Sequence, residues 1–308
     1  MSQHVRQHGD EAHEAEDASA CTAPSSQGMD MPLDTSLPLF VYGALKPGMP
    51  AYGQINGYVA THTHETAKGG LYVRDGLPLL HVDQAHSETN GTLLRWHPGK
   101  EREAYRIVCD FEPRKHYKWS ALSISPDIEA NVLVDRHPAK GNPQPLESNE
   151  WNLRDDPAFG PGLEVVQAVL MDLNDEPNVE RRFFRAQMAY LLLWSILERL
   201  STLSIGPNIE PTKRAIGLHS LPGMVDLLLR HVDREDKVTD SRDPAMCYSL
   251  KKQNPKKCFE YYYQVRSNLS HRGKAVFNEF DKVFYSLKEL ASITDGYLRS
   301  LHERESSP

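Results

Sequence analysis

The hydrophobic pattern changes period part-way along the chain. From Leu37 to about Val134 it consists of short apolar runs separated by Gly, Pro, Asn and Asp: LPLFVYGAL, GYVATHTHETAKGGLYV, LPLLHV, NGTLLRW, HYKWSALSI and EANVLV. Runs of this length and punctuation predict strands joined by turns, and so a compact strand-rich domain over 37–136. From Leu163 onward the apolar residues return at helical spacing. The stretches 163–173, 181–203, 223–232, 256–271 and 276–301 predict a bundle of about four long helices over 163–305. In the second of them Phe184, Met188, Leu191, Leu192 and Ser195 fall on one side. The expected fold class is α+β and multidomain, a barrel-like strand-rich domain followed by an all-α bundle. Between the two, 137–162 is rich in Pro, Gly and Asn and predicts a linker or an extended surface excursion.

Composition adds limits. A chain of 308 residues with 39% apolar content is long enough for two domains. The longest apolar run, MAYLLLW at 188–194, is far short of the roughly 18 residues of a membrane span, so no membrane partner is expected. Residues 1–36 hold one Arg and seven acidic residues without apolar periodicity or a signal-peptide core, which predicts a disordered acidic tail. His4, His8 and His13 in that tail are irregularly spaced. Cys21, Cys109, Cys247 and Cys258 lie far apart with no CxxC pair, so neither a zinc site nor a disulfide framework is expected, and a reducing cytoplasm fits best. No metal or cofactor is predicted. The net charge of −7 is uneven: residues 176–308 carry 21 Lys+Arg against 17 Asp+Glu, a mildly basic balance that permits a nucleic-acid partner.

Two segments carry candidate chemistry in the first domain. LFVYGALKPGMP at 39–50 runs an apolar strand into a glycine turn, where the N–H groups of Gly43, Ala44 and Leu45 can converge on an anion or a developing oxyanion. A plain strand-to-loop turn is the simpler alternative. In AYRIVCDFEPRKHYKW at 104–119, Glu112 follows Phe111 in a stretch that reads as buried; a carboxyl desolvated there has a raised pKa and can exchange a proton near neutrality. The alternative is a surface residue at a helix end.

Together these segments, with GGLYVRDGLPLL at 69–80, GTLLRW at 91–96 and CDFEPRKHYKW at 109–119, resemble the γ-glutamylcyclotransferase-like (AIG2-like) family over residues 37–135, in the branch that includes the γ-glutamylamine cyclotransferases. The resemblance implies that Glu112 takes a proton from the substrate α-amino group and returns it to a departing amine, releasing 5-oxoproline. It further implies that Tyr42, Gly43, Ala44 and Leu45 bind the glutamyl moiety and that Tyr117 lines the pocket.

The second constellation is YYYQVRSNLSHRGK at 261–274. On a helical wheel Cys258, Tyr262, Val265 and Leu269 form an apolar stripe, whereas Arg266 and His271 diverge by about 140°. They can share a site only if the helix ends near Gly273 or if two copies face each other. Gly273 with Arg272 and Lys274 also reads as an ordinary helix C-cap. The Arg-x4-His spacing within a helical half, about 180–300, resembles that of the ribonuclease members of the HEPN (higher eukaryotes and prokaryotes nucleotide-binding) superfamily. That implies His271 as general acid or base, Arg266 as phosphate clamp, Asn268, Arg272 and Lys274 as RNA backbone contacts, a homodimer through the helical domain, and a toxin-type or antiviral setting.

Three readings remain open at this point. The first is a ribonuclease or RNA-binding bundle joined to a ligand-sensing or catalytic cyclotransferase-like domain. The second is a γ-glutamyl cyclotransferase whose helices serve dimerisation, and the third a non-catalytic interaction protein.

Overall fold

The computed structural model describes residues 29–84, 86–271 and 279–305, without the side chains of His271, His302, Arg304 and Glu305. It is a mixed α/β structure with a strand-rich N-terminal part and a helical C-terminal part.

The first part is built on a five-stranded sheet. Its strands are β1 (Leu39–Val41), β2 (Val59–Lys68), β5 (Glu88–Trp96), β6 (Tyr117–Ser125) and β7 (Ile128–Asp135), in the order β2-β5-β1-β7-β6. β1 lies parallel to β7 and antiparallel to β5. Being central, β1 is covered on both faces, which is why LFVY reads as an unbroken apolar run. Leu39 and Val41 face one core with Leu94 and Leu133; Phe40 and Tyr42 face the other with Leu93, Val132 and Leu80. A smaller antiparallel sheet, order β4-β3-β8, contains β3 (Gly70–Arg74), β4 (Leu77–His81) and β8 (Gln144–Pro145).

Helix α1 (Glu101–Phe111) is amphipathic: Ala104, Tyr105, Val108 and Cys109 are buried against the sheet at i, i+1, i+4 and i+5. Every apolar run read as a strand contains one, but α1 was hidden among them.

Two expectations change here. The last residues of the predicted disordered tail are docked: the Met29 N–H donates to Cys109 O, Trp119 Nε1 donates to Asp30 O, and Asn131 Nδ2 donates to Asp34 O. Residues 1–28 lie outside the described residues. The excursion 137–162 folds back on the molecule, pairing β8 with β3 and burying Trp151 to 1% exposure.

The second part contains α2 (Leu163–Asp172), α3 (Val179–Ile205), α4 (Pro211–Gly217), α5 (Met224–His231), α6 (Pro255–His271) and α7 (Phe280–Glu305). Asn178 caps α3 by accepting from the Arg181 N–H, and Gly206, at φ +108°, ends it in a conformation few other residues adopt. The expected side of α3 is the outer one: Phe184 and Met188 are exposed, while Phe183, Ala186, Tyr190, Leu193, Trp194 and Leu197 fill the core. That core is completed by Cys258, Tyr262 and Val265 of α6 and Leu287, Leu290 and Ile293 of α7.

The bundle is not all-α. It carries an antiparallel hairpin of β9 (Asp236–Thr239) and β10 (Cys247–Leu250), packed on α6. Helix α3 is long and apolar enough to cross a membrane, although more than half of its most apolar window is buried inside the protein. Its C-terminal end is also where the two parts meet. There Gln54 Nε2 donates to Ser204 O, and Asn208 Nδ2 donates to Asp110 O at 3.3 Å.

Candidate active site

A cavity of about 210 Å³ lies where the end of β1, the end of α1 and the end of α3 converge. The turn after β1 supplies one wall. Its carbonyls are engaged, Gly43 O accepting from Lys46 N and Ala44 O from Ala51 N, both at 3.0 Å. Among the described residues the N–H groups of Gly43, Ala44 and Leu45 meet no acceptor. Gly43 is needed for close approach: a Cβ there would lie 2.7 Å from Pro78 Cγ. The turn is anchored from behind by Lys46, whose buried ammonium donates to Glu150 Oε1 at 2.6 Å and to Trp151 O at 3.1 Å.

Glu112 stands at the C-terminal end of α1, its N–H still bonded to Val108 O while its own backbone is already extended (φ −84°, ψ 137°). Helix termination therefore aims the side chain into the cavity rather than along the helix surface. Among the described residues no donor meets its carboxyl. Burial pushes its pKa up to about 7, against a smaller lowering by the positive charge of Arg199. The negative end of the α1 dipole acts in the same direction as burial.

Tyr42 and Tyr117 frame the carboxyl. The Tyr42 hydroxyl donates to Leu133 O at 2.6 Å and accepts from Leu80 N–H at 3.3 Å; the Tyr117 hydroxyl donates to Pro78 O at 2.7 Å. Burial, reinforced by the charge of Glu112, raises both phenol pKa values. They stay protonated and serve as fixed walls. Trp151 closes another side, and its buried indole N–H meets no acceptor among the described residues.

The fourth wall comes from the helical part through Arg199, Thr202 and Leu203 of α3 and Pro207 beyond it. Arg199 Nε donates to Asp156 Oδ2 at 2.9 Å and its Nη2 is ion-paired to the same oxygen at 2.9 Å, while Asp156 Oδ1 accepts from Ala158 N–H at 3.0 Å. Neither Arg199 nor Asp156 was found from the sequence. The available signal was a Glu-Arg pair at the end of an otherwise apolar helix, and a DDP triplet in a segment read as a linker.

The cavity thus unites Tyr42, Gly43, Ala44, Leu45, Glu112 and Tyr117, all of the site residues predicted in the first domain. The second constellation is arranged differently. Arg266 is ion-paired to Glu198 at 3.3 Å. Asn268 is 5% exposed and faces inward: its Oδ1 accepts from Ser241 N–H and from Gln264 Nε2, and its Nδ2 donates to Thr239 O. It ties the hairpin to α6 and offers nothing to a phosphate. α6 extends to His271, whose side chain lies outside the described residues, as do Arg272, Gly273 and Lys274. In the basic run 251–257, Lys257 and Lys256 are paired with Glu260, and Asn254 caps α6.

No protein-family model, curated protein or solved structure matches the chain.

Proposed function

We propose that the protein is a γ-glutamyl cyclotransferase, acting on a γ-glutamyl amide and releasing 5-oxoproline and an amine, with 37–136 as a γ-glutamylcyclotransferase-like barrel. The observation that carries this reading is the pairing, in one cavity, of a carboxyl without a partner among the described residues, pushed by burial up to a pKa of about 7, with backbone amides that likewise meet no acceptor there. A group with that pKa can both take and return a proton at neutral pH.

The steps follow from the positions. Ionised Glu112 takes a proton from the substrate α-amino group as that nitrogen bonds to the γ-carbonyl carbon. The carbonyl oxygen becomes an oxyanion held by the amides of Gly43, Ala44 and Leu45. The bond from that carbon to the amine nitrogen then breaks, and the proton passes from Glu112 to the departing nitrogen. Cyclisation is intramolecular, so holding the chain curled in a small cavity supplies much of the rate.

The helical part contributes a wall of this cavity. An HEPN-like ribonuclease role for it is the weaker proposal, because Arg266 is ion-paired and Asn268 is committed to the hairpin. The test is to incubate the purified protein with a panel of γ-glutamyl amines and amino acids and measure 5-oxoproline. Release by wild type and none by Glu112→Gln is expected; no release from any member of the panel by wild type would remove the proposal.

A further inference from the structure

The helical part brings a guanidinium into a cavity that otherwise belongs to the strand-rich part, and the way it is held leaves one edge unused. Both contacts to Asp156 come from the Nε and Nη2 side of Arg199 and end on a single oxygen. Asp156 itself is 2% exposed and fixed by the Ala158 N–H. Among the described residues Nη1 meets no acceptor. An arginine gripped along one edge presents the other as a rigid fork, the shape that binds a carboxylate through two parallel hydrogen bonds.

We propose that Arg199 binds the α-carboxylate of the substrate's glutamyl head, leaving the amides of Gly43, Ala44 and Leu45 for the γ-carbonyl oxygen. This rests on the cyclotransferase reading of the cavity. The argument is one of connectivity. In an α-amino acid the amino nitrogen and the carboxylate share one carbon, so the group that receives the proton and the group that receives the carboxylate must be neighbours. Arg199, Glu112 and Tyr117 line the same cavity, and the positive charge of Arg199 lowers the Glu112 pKa. The γ-carbonyl lies further along the chain and needs a second, separate anion site, which the turn amides supply. Substrates are therefore γ-glutamyl compounds with a free α-carboxylate, and the helical part completes their site. The competing role for Arg199 is a purely structural staple between the two parts through Asp156.

Paired lactams separate the two. Affinities of full-length wild type, Arg199→Met and Arg199→Lys are measured for 5-oxoproline and for 2-pyrrolidinone, the same ring without the carboxylate. Wild type should prefer 5-oxoproline by roughly tenfold to a hundredfold, as a charge-assisted paired contact gives. Arg199→Met should bind the two about equally. Arg199→Lys keeps the charge and not the fork, and should lose part of the preference while melting near the wild-type temperature; it carries the test if Arg199→Met does not fold. A folded variant that keeps the full wild-type preference would overturn the assignment and leave the cyclotransferase reading standing. Failure of wild type to bind either lactam would overturn both.

Discussion

The cavity-lining carboxyl of Glu112 makes a prediction about stability that can be read without any substrate. Replacing Glu112 by Gln keeps the shape of the side chain and removes its titration. In the folded protein burial holds the pKa at about 7, against a reference of 4.5. Between those two values the unfolded chain has lost its proton while the folded chain still holds it, so the native state binds more protons and stability falls as pH rises. Each pKa unit corresponds to about 1.4 kcal/mol, so this single group costs on the order of 3 kcal/mol by the time pH exceeds 7. Urea unfolding of wild type and Glu112→Gln at intervals from pH 4.5 to 8.5 measures it. The variant's advantage should grow across that window by roughly 2–3 kcal/mol and then level off above about pH 7. A difference independent of pH, or one that shrinks as pH rises, would show that the carboxyl is solvated and would refute the reasoning on which the site rests.

Other substitutions test separate parts of the account. Gly43→Ala places a Cβ 2.7 Å from the Pro78 ring, which cannot swing away as a flexible chain would; thermal melting should show a loss of about 1–3 kcal/mol, and turnover should fall because the amides shift. Arg199→Met removes the charge that lowers the Glu112 pKa, so the acidic limb of the pH–rate profile should move above its wild-type position near 7, and an unmoved limb would contradict the electrostatic link. Asn268→Ala removes the buried amide that bonds the Thr239 carbonyl and the Ser241 N–H; chemical denaturation should show a loss of roughly 1–3 kcal/mol, with 5-oxoproline release per folded molecule unchanged.

The split between strand and helix was legible because short, turn-punctuated apolar runs and a 3.6-residue period are local signals. Three misreadings share a different cause. The side of α3 picked out by apolar spacing, with Phe184 and Met188, is the exposed one, and Tyr190 and Trp194, whose rings carry a polar atom, fill the interior. Segment 137–162 looked like a linker by composition, whereas Trp151 and Asp156 are among its most buried residues. The HEPN resemblance implied Asn268 as an RNA backbone contact, whereas in the fold it bonds the Thr239 carbonyl of β9. The N-terminal half of the site was legible because the turn after β1 and Glu112 each carry a local signal, a glycine and an acid beside apolar residues. Arg199 carries only a weak one, a Glu-Arg pair near the end of a long helix: what matters is that α3 ends over the cavity, and that long-range placement is not written in the local sequence.

The most direct test of the central claim is the pH dependence of 5-oxoproline release from a γ-glutamyl amine that the protein turns over. For wild type kcat/KM should rise tenfold per pH unit below about 7 and flatten above it, as Glu112 becomes the ionised base, and Glu112→Gln should show no measurable release at any pH. Release by the Gln variant at a wild-type rate, or a wild-type profile with no inflection between pH 5 and 9, would contradict the account.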